Sequence, residues 1–177
     1  MNPAAAVQLS DFIRSIPDFP KPGILFRDIT PLLASADAFR EAIGQLARRY
    51  QNANVDLVAA AEARGFIFAA PLALELNAGF IPVRKPGKLP FDRHSFEYAL
   101  EYGTDTLEVH VDGFAPGQRV LLVDDLLATG GTMEACCRLV EHAGAVVAGC
   151  AFVIELTGLN GAARLAKYNP FSLLQYD

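Results

Sequence analysis

Two adjacent acidic residues and a glycine-rich loop stand close together in the middle of the chain. Asp124 and Asp125 directly follow an apolar run, and Thr129-Gly130-Gly131-Thr132 begins after three further residues. The backbone N–H groups of such a loop can bind a phosphate, because glycine lets the backbone approach it closely. The threonine hydroxyls add donors. Paired carboxylates instead suit ligand hydroxyls, or a magnesium ion with its waters. A 5-phosphoribosyl group offers both parts.

The elements on either side must hold this loop in place. Val120–Val123 predicts a strand buried on both faces, ending where the carboxylates begin. Met133, Cys136, Cys137 and Val140 have the spacing of one helix face. A strand, a polar loop and a helix start in this order can form an anion site. The loop matches neither the P-loop nor the dinucleotide-binding pattern. The alternative is a capped turn with two solvated acids.

Two other loops carry candidate cations. Arg64-Gly65 stands between a predicted strand at 55–61 and a predicted helix at 66–76. In open α/β sheets, ligands bind at that edge of the sheet. The segment 84–90 combines three cations with two prolines and one glycine, which predicts a mobile basic loop. Its cations could neutralise a pyrophosphate group. The alternative for both loops is a solvated, exposed cation.

Strand and helix patterns alternate through most of the chain, which predicts a parallel α/β sheet flanked by helices. Further strands are expected at 80–83, 145–156 and 171–175, and Pro82 suggests that the first of these is an edge strand. Segments 95–102 and 106–111 predict an antiparallel hairpin with a turn at 102–105. Residues 7–16 and 158–167 predict short helices, and Asp37 is expected to cap the helix that follows it.

Composition limits the class of protein. The 177 residues are 52% hydrophobic and 20% charged, as in globular proteins. The net charge of −5 argues against nucleic acid as the main partner. Three cysteines without framework or metal-site spacing indicate a reducing, cytoplasmic setting. The N-terminus lacks a signal-peptide pattern, and no apolar run predicts a membrane span.

The central stretch resembles a known family signature. Val-Asp-Asp-Leu-Leu-Ala-Thr-Gly-Gly-Thr at 123–132 is similar to the signature of type I phosphoribosyltransferases, and its Leu-Leu-Ala to their adenine-specific branch. Other segments resemble that branch in the same order along the chain: 22–31, 63–66, 83–90, 98–103, 155–157 and 171–177. Glu62-Ala63 departs from the branch's usual Asp-Ser. The family carries a non-proline cis peptide there, so one is expected near these residues.

The resemblance implies a fold and a reaction. The fold would be a single domain over 1–177, with a small N-terminal hood at 1–34 and a flexible hairpin lid at 85–111. The reaction would transfer the 5-phosphoribosyl group of phosphoribosyl pyrophosphate to N9 of adenine, through an oxocarbenium-like transition state. The products would be AMP and pyrophosphate, as in purine salvage. Magnesium would be held through substrate and water. We expect small-molecule substrates, no nucleic acid or membrane, and a homodimer.

The resemblance also implies a role for individual residues. Glu101 would be the general base, with Tyr102 closing over the site. Asp124 and Asp125 would bind the ribose hydroxyls. The remaining implied binding residues are Ala128, Thr129, Gly130, Gly131 and Thr132 for the 5′-phosphate, Arg64, Lys85 and Lys88 for pyrophosphate, and Leu25 (through its backbone), Phe26, Arg27 and Leu156 for adenine.

Two alternatives remain open from the sequence. One is a phosphoribosyltransferase acting on another base, a 6-oxopurine or orotate. The other is a non-catalytic regulator that senses phosphoribosyl pyrophosphate. A regulator would favour a basic face or a fused DNA-binding segment, and neither is evident in the sequence.

Overall fold

The computed structural model describes residues 7–99 and 104–177. The chain divides into two compact units, Met1–Gln45 and Leu46–Asp177. The strands are β1 (Arg14–Pro17), β2 (Leu25–Asp28), β3 (Leu57–Ala61), β4 (Gly79–Val83), β5 (Arg93–Ala99), β6 (Thr104–His110), β7 (Arg119–Leu127), β8 (Val146–Leu156) and β9 (Pro170–Tyr176). The helices are α1 (Thr30–Ala34), α2 (Ala36–Tyr50), α3 (Gly65–Glu75), α4 (Gly131–His142) and α5 (Gly161–Arg164), with 3₁₀ turns at Leu9–Phe12, Thr157–Leu159 and Ala166–Tyr168.

A five-stranded parallel sheet forms the centre of the second unit. Its strand order is β4-β3-β7-β8-β9, so β7 is the middle strand and β4, which contains Pro82, lies at an edge. This confirms the predicted α/β class and the edge position of Pro82. The central strands are buried on both faces because helices cover a parallel sheet, and Leu121, Leu122 and Phe152 are almost fully buried.

Two antiparallel hairpins complete the architecture. In the first unit, β1 pairs with β2. In the second unit, β5 pairs with β6, which confirms the predicted hairpin. A bridge between Arg84 and Glu108 joins this hairpin to the segment that follows β4. No helix within residues 7–99 and 104–177 combines the length and the apolar character that crossing a membrane requires.

The helix predicted at 7–16 is wrong. A 3₁₀ turn at Leu9–Phe12 leads into β1, because Ile16 pairs with Phe26 and the backbone hydrogen bonds go to β2. The prediction that Asp37 caps α2 is also wrong. Asp37 lies in the first turn of that helix, and the Ala38 N–H instead donates to Ser35 Oγ at 3.3 Å.

Three boundaries differ in the second unit. The strand predicted to end before the carboxylates continues through them to Leu127, because Leu126 and Leu127 keep their pairing with β8. Thr104 and Asp105 belong to β6 rather than to a turn. The helix predicted at 158–167 is divided into three short pieces, and Asn160, in a left-handed conformation with φ 56°, separates the first from the second.

Candidate active site

The two aspartates lie within β7, near its carboxyl end, and not in the loop that follows it. Asp125 is 5% exposed, and Asp124 is half-buried. The two carboxylates line one cavity, and the Asp125 backbone N–H donates to Asp124 Oδ1 at 2.9 Å. Asp124 packs against the start of α3, where a Cβ on Gly65 would come within 3.0 Å of Asp124 Oδ1. The alternative of a capped turn with two solvated acids is therefore wrong, because β7 continues through both aspartates.

Burial and neighbouring charges shift the pKa values of Asp124 and of Arg64, which lies beside Asp125. Arg64 Nε donates to Asp125 Oδ2 at 2.5 Å, and this bond raises the pKa of Arg64. Burial, with the Asp125 charge adding to it, raises the pKa of the Asp124 carboxyl well above its usual value. Ionised Asp124 is thus unfavourable in the free protein. A ligand that donates hydroxyls to it would remove that disadvantage.

The predicted phosphate loop lines a cavity of about 430 Å³ at the carboxyl end of β7. Gly130, with φ 80°, precedes the first turn of α4, and the Glu134 N–H donates to its carbonyl at 2.9 Å. The cavity therefore lies at the N-terminus of a twelve-residue helix, which favours an anion. All five residues predicted for the 5′-phosphate line it, namely Ala128, Thr129, Gly130, Gly131 and Thr132.

A second cavity of about 280 Å³ adjoins the first and shares Asp124 and Thr132 with it. Its lining includes Asp125 together with Arg64 and Lys85, two of the three cations predicted for pyrophosphate. One ligand with a phosphate at one end and a pyrophosphate at the other could therefore occupy both cavities, with its sugar at the shared aspartate. Lys88 is not among the described residues that line either cavity.

Each of these cations is paired with a carboxylate. Besides the Arg64–Asp125 pair, Lys85 Nζ lies 3.1 Å from Asp105 Oδ2, and Lys88 Nζ lies 3.0 Å from Glu62 Oε1. The hydrogen bond from Lys85 to Asp105 raises the pKa of Lys85. Burial raises the pKa of Glu62, but hydrogen bonds from Arg84 and Lys88 outweigh it, so the net shift is downward. These carboxylates hold the cations in place, and a bound diphosphate could replace the carboxylates as the partners of the cations.

A polar link that was not predicted from the sequence joins the hairpin to the phosphate loop. Tyr98 OH lies 3.4 Å from both Asp105 Oδ2 and Thr132 Oγ1. Tyr98 and Asp105 are partners in the register of β5 and β6, while Thr132 is the second residue of α4. An exact hairpin register was the only signal that could have found this link. Arg164, which lines the phosphate cavity, was missed because its helix was predicted with the wrong bounds.

The described residues that line these two cavities do not include the residues predicted to bind adenine. Leu25, Phe26 and Arg27 lie on β2 of the first unit, where Arg27 Nη1 donates to Ser15 Oγ at 2.5 Å. Leu156 is half-buried at the end of β8. Glu101 and Tyr102 lie outside the described residues. The peptide bond between Glu62 and Ala63 is cis, which confirms the expectation for this loop.

The described residues contain no direct cage for a metal ion. Across 7–99 and 104–177, no group of three or more His, Cys, Asp or Glu side chains is arranged to hold one. The carboxylates that line the second cavity belong to Glu62, Asp105, Asp124 and Asp125, and a hard cation prefers such oxygen ligands.

Comparison with known proteins agrees with this geometry. Residues 27–174 match the family described as "Phosphoribosyl transferase domain". The chain is 60% identical over 175 residues to an adenine phosphoribosyltransferase of Rhodopirellula baltica, covering 99% of this chain and 85% of the relative. It is 59% identical to one of a Roseiflexus species, covering 95% and 98% of the two chains.

Solved structures give the same result. The adenine phosphoribosyltransferase of Thermoanaerobacter pseudethanolicus superposes with a TM-score of 0.91 at 53% identity, covering 96% of this chain and all of the other. The enzyme of Saccharomyces cerevisiae, solved with an imino-altritol bisphosphate and adenine, superposes with a TM-score of 0.88 at 37% identity, covering 94% and 96%. The likeness therefore extends over nearly the whole chain.

Proposed function

The chain belongs to the phosphoribosyl transferase domain family, and from this premise we propose that it transfers the 5-phosphoribosyl group of phosphoribosyl pyrophosphate to N9 of adenine. The products are AMP and pyrophosphate, so the reaction salvages a free purine base. The observation that carries the proposal is the pair of adjoining cavities that share Asp124 and Thr132. The relatives of 55–60% identity that are named adenine phosphoribosyltransferase support adenine as the acceptor.

The donor would span both cavities. Its 5′-phosphate would bind the loop at the start of α4, where backbone N–H groups and the helix dipole favour an anion. The ribose hydroxyls would donate to Asp124 and Asp125. The pyrophosphate would lie in the second cavity, where Arg64 and Lys85 exchange their carboxylate partners for phosphate oxygens. Lys88, held by Glu62, would approach from the same basic loop.

The chemistry explains why these groups are needed. Departure of pyrophosphate from C1 builds positive charge on the ribose ring, so the transition state resembles an oxocarbenium ion. Cations at the leaving group stabilise its developing charge. Adenine loses a proton as N9 attacks, and we assign Glu101 as the base that accepts it, with Tyr102 closing over the site. Leu25, Phe26, Arg27 and Leu156 would bind the adenine ring. The hairpin acts as a lid that keeps water from the reactive sugar.

Magnesium belongs to the proposal as the ion that neutralises the leaving pyrophosphate when it is bound. Four acidic residues line the second cavity, but among the described residues no three acidic, His or Cys side chains are arranged as a cage, so the ion would be held mainly by substrate oxygens and water. We also propose a two-fold homodimer and a cytoplasmic location. The proposed cytoplasmic location agrees with the three cysteines, Cys136, Cys137 and Cys150, which are free and buried.

Base selectivity tests the function. Adenine presents an acceptor at N1 and a donor at its amino group, whereas hypoxanthine and guanine present the reverse. A backbone N–H and C=O at Leu25 would pair with adenine and leave unpaired groups with a 6-oxopurine, which such sites reject by roughly 10⁴–10⁵-fold. We expect kcat/KM to favour adenine strongly when adenine, hypoxanthine, guanine and orotate are compared with phosphoribosyl pyrophosphate and magnesium. Comparable kcat/KM for hypoxanthine, or no transfer to any base, would contradict the proposal.

A further inference from the structure

One arginine without an assigned role in the proposed reaction lines the phosphate cavity. Arg164 is the last residue of α5, and its side chain is 44% exposed. Among the described residues that line this cavity, it is the one that carries a positive charge. The loop itself, Ala128–Thr132, contains no basic residue. A phosphate monoester carries up to two negative charges near neutral pH, so a single cation at this cavity has a large effect on its binding.

Two glycines bring Arg164 to the loop. Gly161 begins α5 directly against the loop backbone, where an added Cβ would collide with the Ala128 carbonyl oxygen. A Cβ on Gly130 would lie 3.1 Å from the Gly161 carbonyl oxygen and 3.5 Å from Arg164 Cδ. The stem of Arg164 therefore passes over Gly130. Close backbone packing between α5 and the loop therefore fixes the position of the Arg164 backbone, so the side chain does not have to reach the loop from a distance.

Glu134 holds the guanidinium of Arg164. Arg164 Nε donates to Glu134 Oε2 at 2.6 Å, and Glu134 lies in the first turn of α4. A carboxylate this close to an anion site would by itself oppose a phosphate, and Arg164 offsets its charge. The bond to Glu134 uses Nε, whereas the two Nη atoms of a guanidinium carry four more N–H donors in a planar fork. Such a fork suits bidentate binding of phosphate.

We propose that Arg164 binds the 5′-phosphate of the phosphoribosyl donor, and that Glu134 is its ion-pair partner while the cavity is empty. The inference rests on the proposed function, because it takes the donor's phosphate to occupy this cavity. The loop supplies neutral backbone donors and the helix dipole, and Arg164 supplies the full positive charge that they lack.

A competing explanation is that the Arg164–Glu134 pair only braces α5 against α4. The two explanations differ in what Glu134 does. If the ion pair only braces α5, replacing either Arg164 or Glu134 removes it. Both variants should then weaken phosphate binding by the same factor. If Arg164 binds the phosphate, the two substitutions should have different effects on binding, because Arg164 attracts the phosphate and Glu134 repels it.

The test measures binding of ribose 5-phosphate by calorimetry, without turnover. We expect Arg164→Gln to raise the Kd by about 10-fold or more, the range for a lost charge-assisted hydrogen bond. Glu134→Gln should change the Kd by no more than about 3-fold, since the guanidinium and its attraction remain. Arg164→Lys should lie between wild type and Arg164→Gln, because it keeps the charge and loses the fork. Inorganic pyrophosphate should bind all variants about equally.

Arg138→Gln is the matched control. Arg138 also faces Glu134, at 3.8 Å. It lines a third cavity beside the hairpin together with Arg164, but it is not among the residues that line the phosphate cavity. We expect this variant to bind ribose 5-phosphate as wild type does. Wild-type affinity in Arg164→Gln would overturn the inference, and so would equal losses in Arg164→Gln and Glu134→Gln. If Arg164→Gln fails to fold, Arg164→Lys decides by the same comparison with Glu134→Gln. Failure of wild type to form AMP would contradict the proposed function instead.

Discussion

The two cavities that meet at Asp124 are built in opposite ways. The cavity proposed for the 5′-phosphate is formed by backbone, with Gly130 and Gly161 packed closely and the N-terminus of α4 directed at it. The cavity proposed for pyrophosphate is formed by charged side chains, with Arg64 and Lys85 each paired to an aspartate. The first offers donors fixed by the fold. The second offers cations that must exchange one anion for another.

This difference separates two sources of affinity. Donors fixed by the backbone need no rearrangement when a phosphate binds, so their contribution depends little on side-chain charge. Cations held by carboxylates bind a diphosphate only to the extent that it competes better than Asp105, Asp125 or Glu62. Lys85 and Lys88 are about half exposed, at 54% and 51%. Salt should therefore weaken binding more on the pyrophosphate side than on the phosphate side.

The largest effect is expected where the cavities meet. Asp124→Asn combined with Asp125→Asn should lower kcat/KM by about 10³-fold or more, because both acceptors for the ribose hydroxyls lose their charge. The chain should still fold, although Asp125 is buried and its loss leaves Arg64 without its partner. Steady-state kinetics with a thermal melt would check this. Asp112→Asn, at an exposed position, is the control. Near-normal activity of the double variant would contradict the sugar site.

The lid gives the next largest effect. Glu101→Gln should lower kcat by about 10²-fold or more while changing the Kd for adenine and donor much less, because a general base acts mainly in the transition state. Single-turnover measurements separate chemistry from product release. An unchanged rate of the chemical step would remove Glu101 from the mechanism.

A smaller effect distinguishes the pyrophosphate cavity directly. Lys85→Gln should weaken pyrophosphate binding by about 10-fold, since it removes a cation from the cavity lining. Asp105→Asn should tighten pyrophosphate binding by about 2- to 5-fold, because it removes the competing anion and leaves Lys85 in place. Calorimetry with pyrophosphate measures both. Weaker binding in Asp105→Asn would mean that positioning of Lys85 outweighs competition for it.

The smallest effect concerns stability and pH. Burial raises the folded-state pKa of Asp124 above its unfolded value, so the protonated carboxyl favours the folded state. That contribution is fully present below the unfolded pKa, about 3.9, and is lost as pH rises through the folded pKa. Asp124→Asn should therefore raise the free energy of unfolding by about 1 kcal/mol at neutral pH.

The same gain should shrink as the pH approaches 4, where wild-type Asp124 is protonated as well. Denaturant unfolding of Asp124→Asn and wild type at several pH values measures the difference. A gain that stays constant with pH, or a loss of stability at neutral pH, would show that the Asp124 charge is not unfavourable in the free protein.

Much of the phosphate side was predictable from sequence, because its parts are adjacent in the chain. Val120–Val123, the two aspartates and Thr129–Thr132 belong to one strand-loop-helix unit, and the structure confirms the order of these parts. The strand's end was wrong by four residues. Whether Asp124 and Asp125 leave the sheet depends on pairing of Leu126 and Leu127 with β8, which local sequence does not specify.

The sequence by itself determined the α/β class, the central strand, the phosphate loop and the positions of the basic residues. Periodicity and glycine placement are local properties, and they act within about ten residues. Only the tertiary structure decided which partners those residues meet. The pairing of Arg64 with Asp125, of Tyr98 with Thr132, and of Arg164 with Glu134 joins residues 30 or more apart in the chain. Such contacts arise from strand register and helix packing, which many distant residues set together.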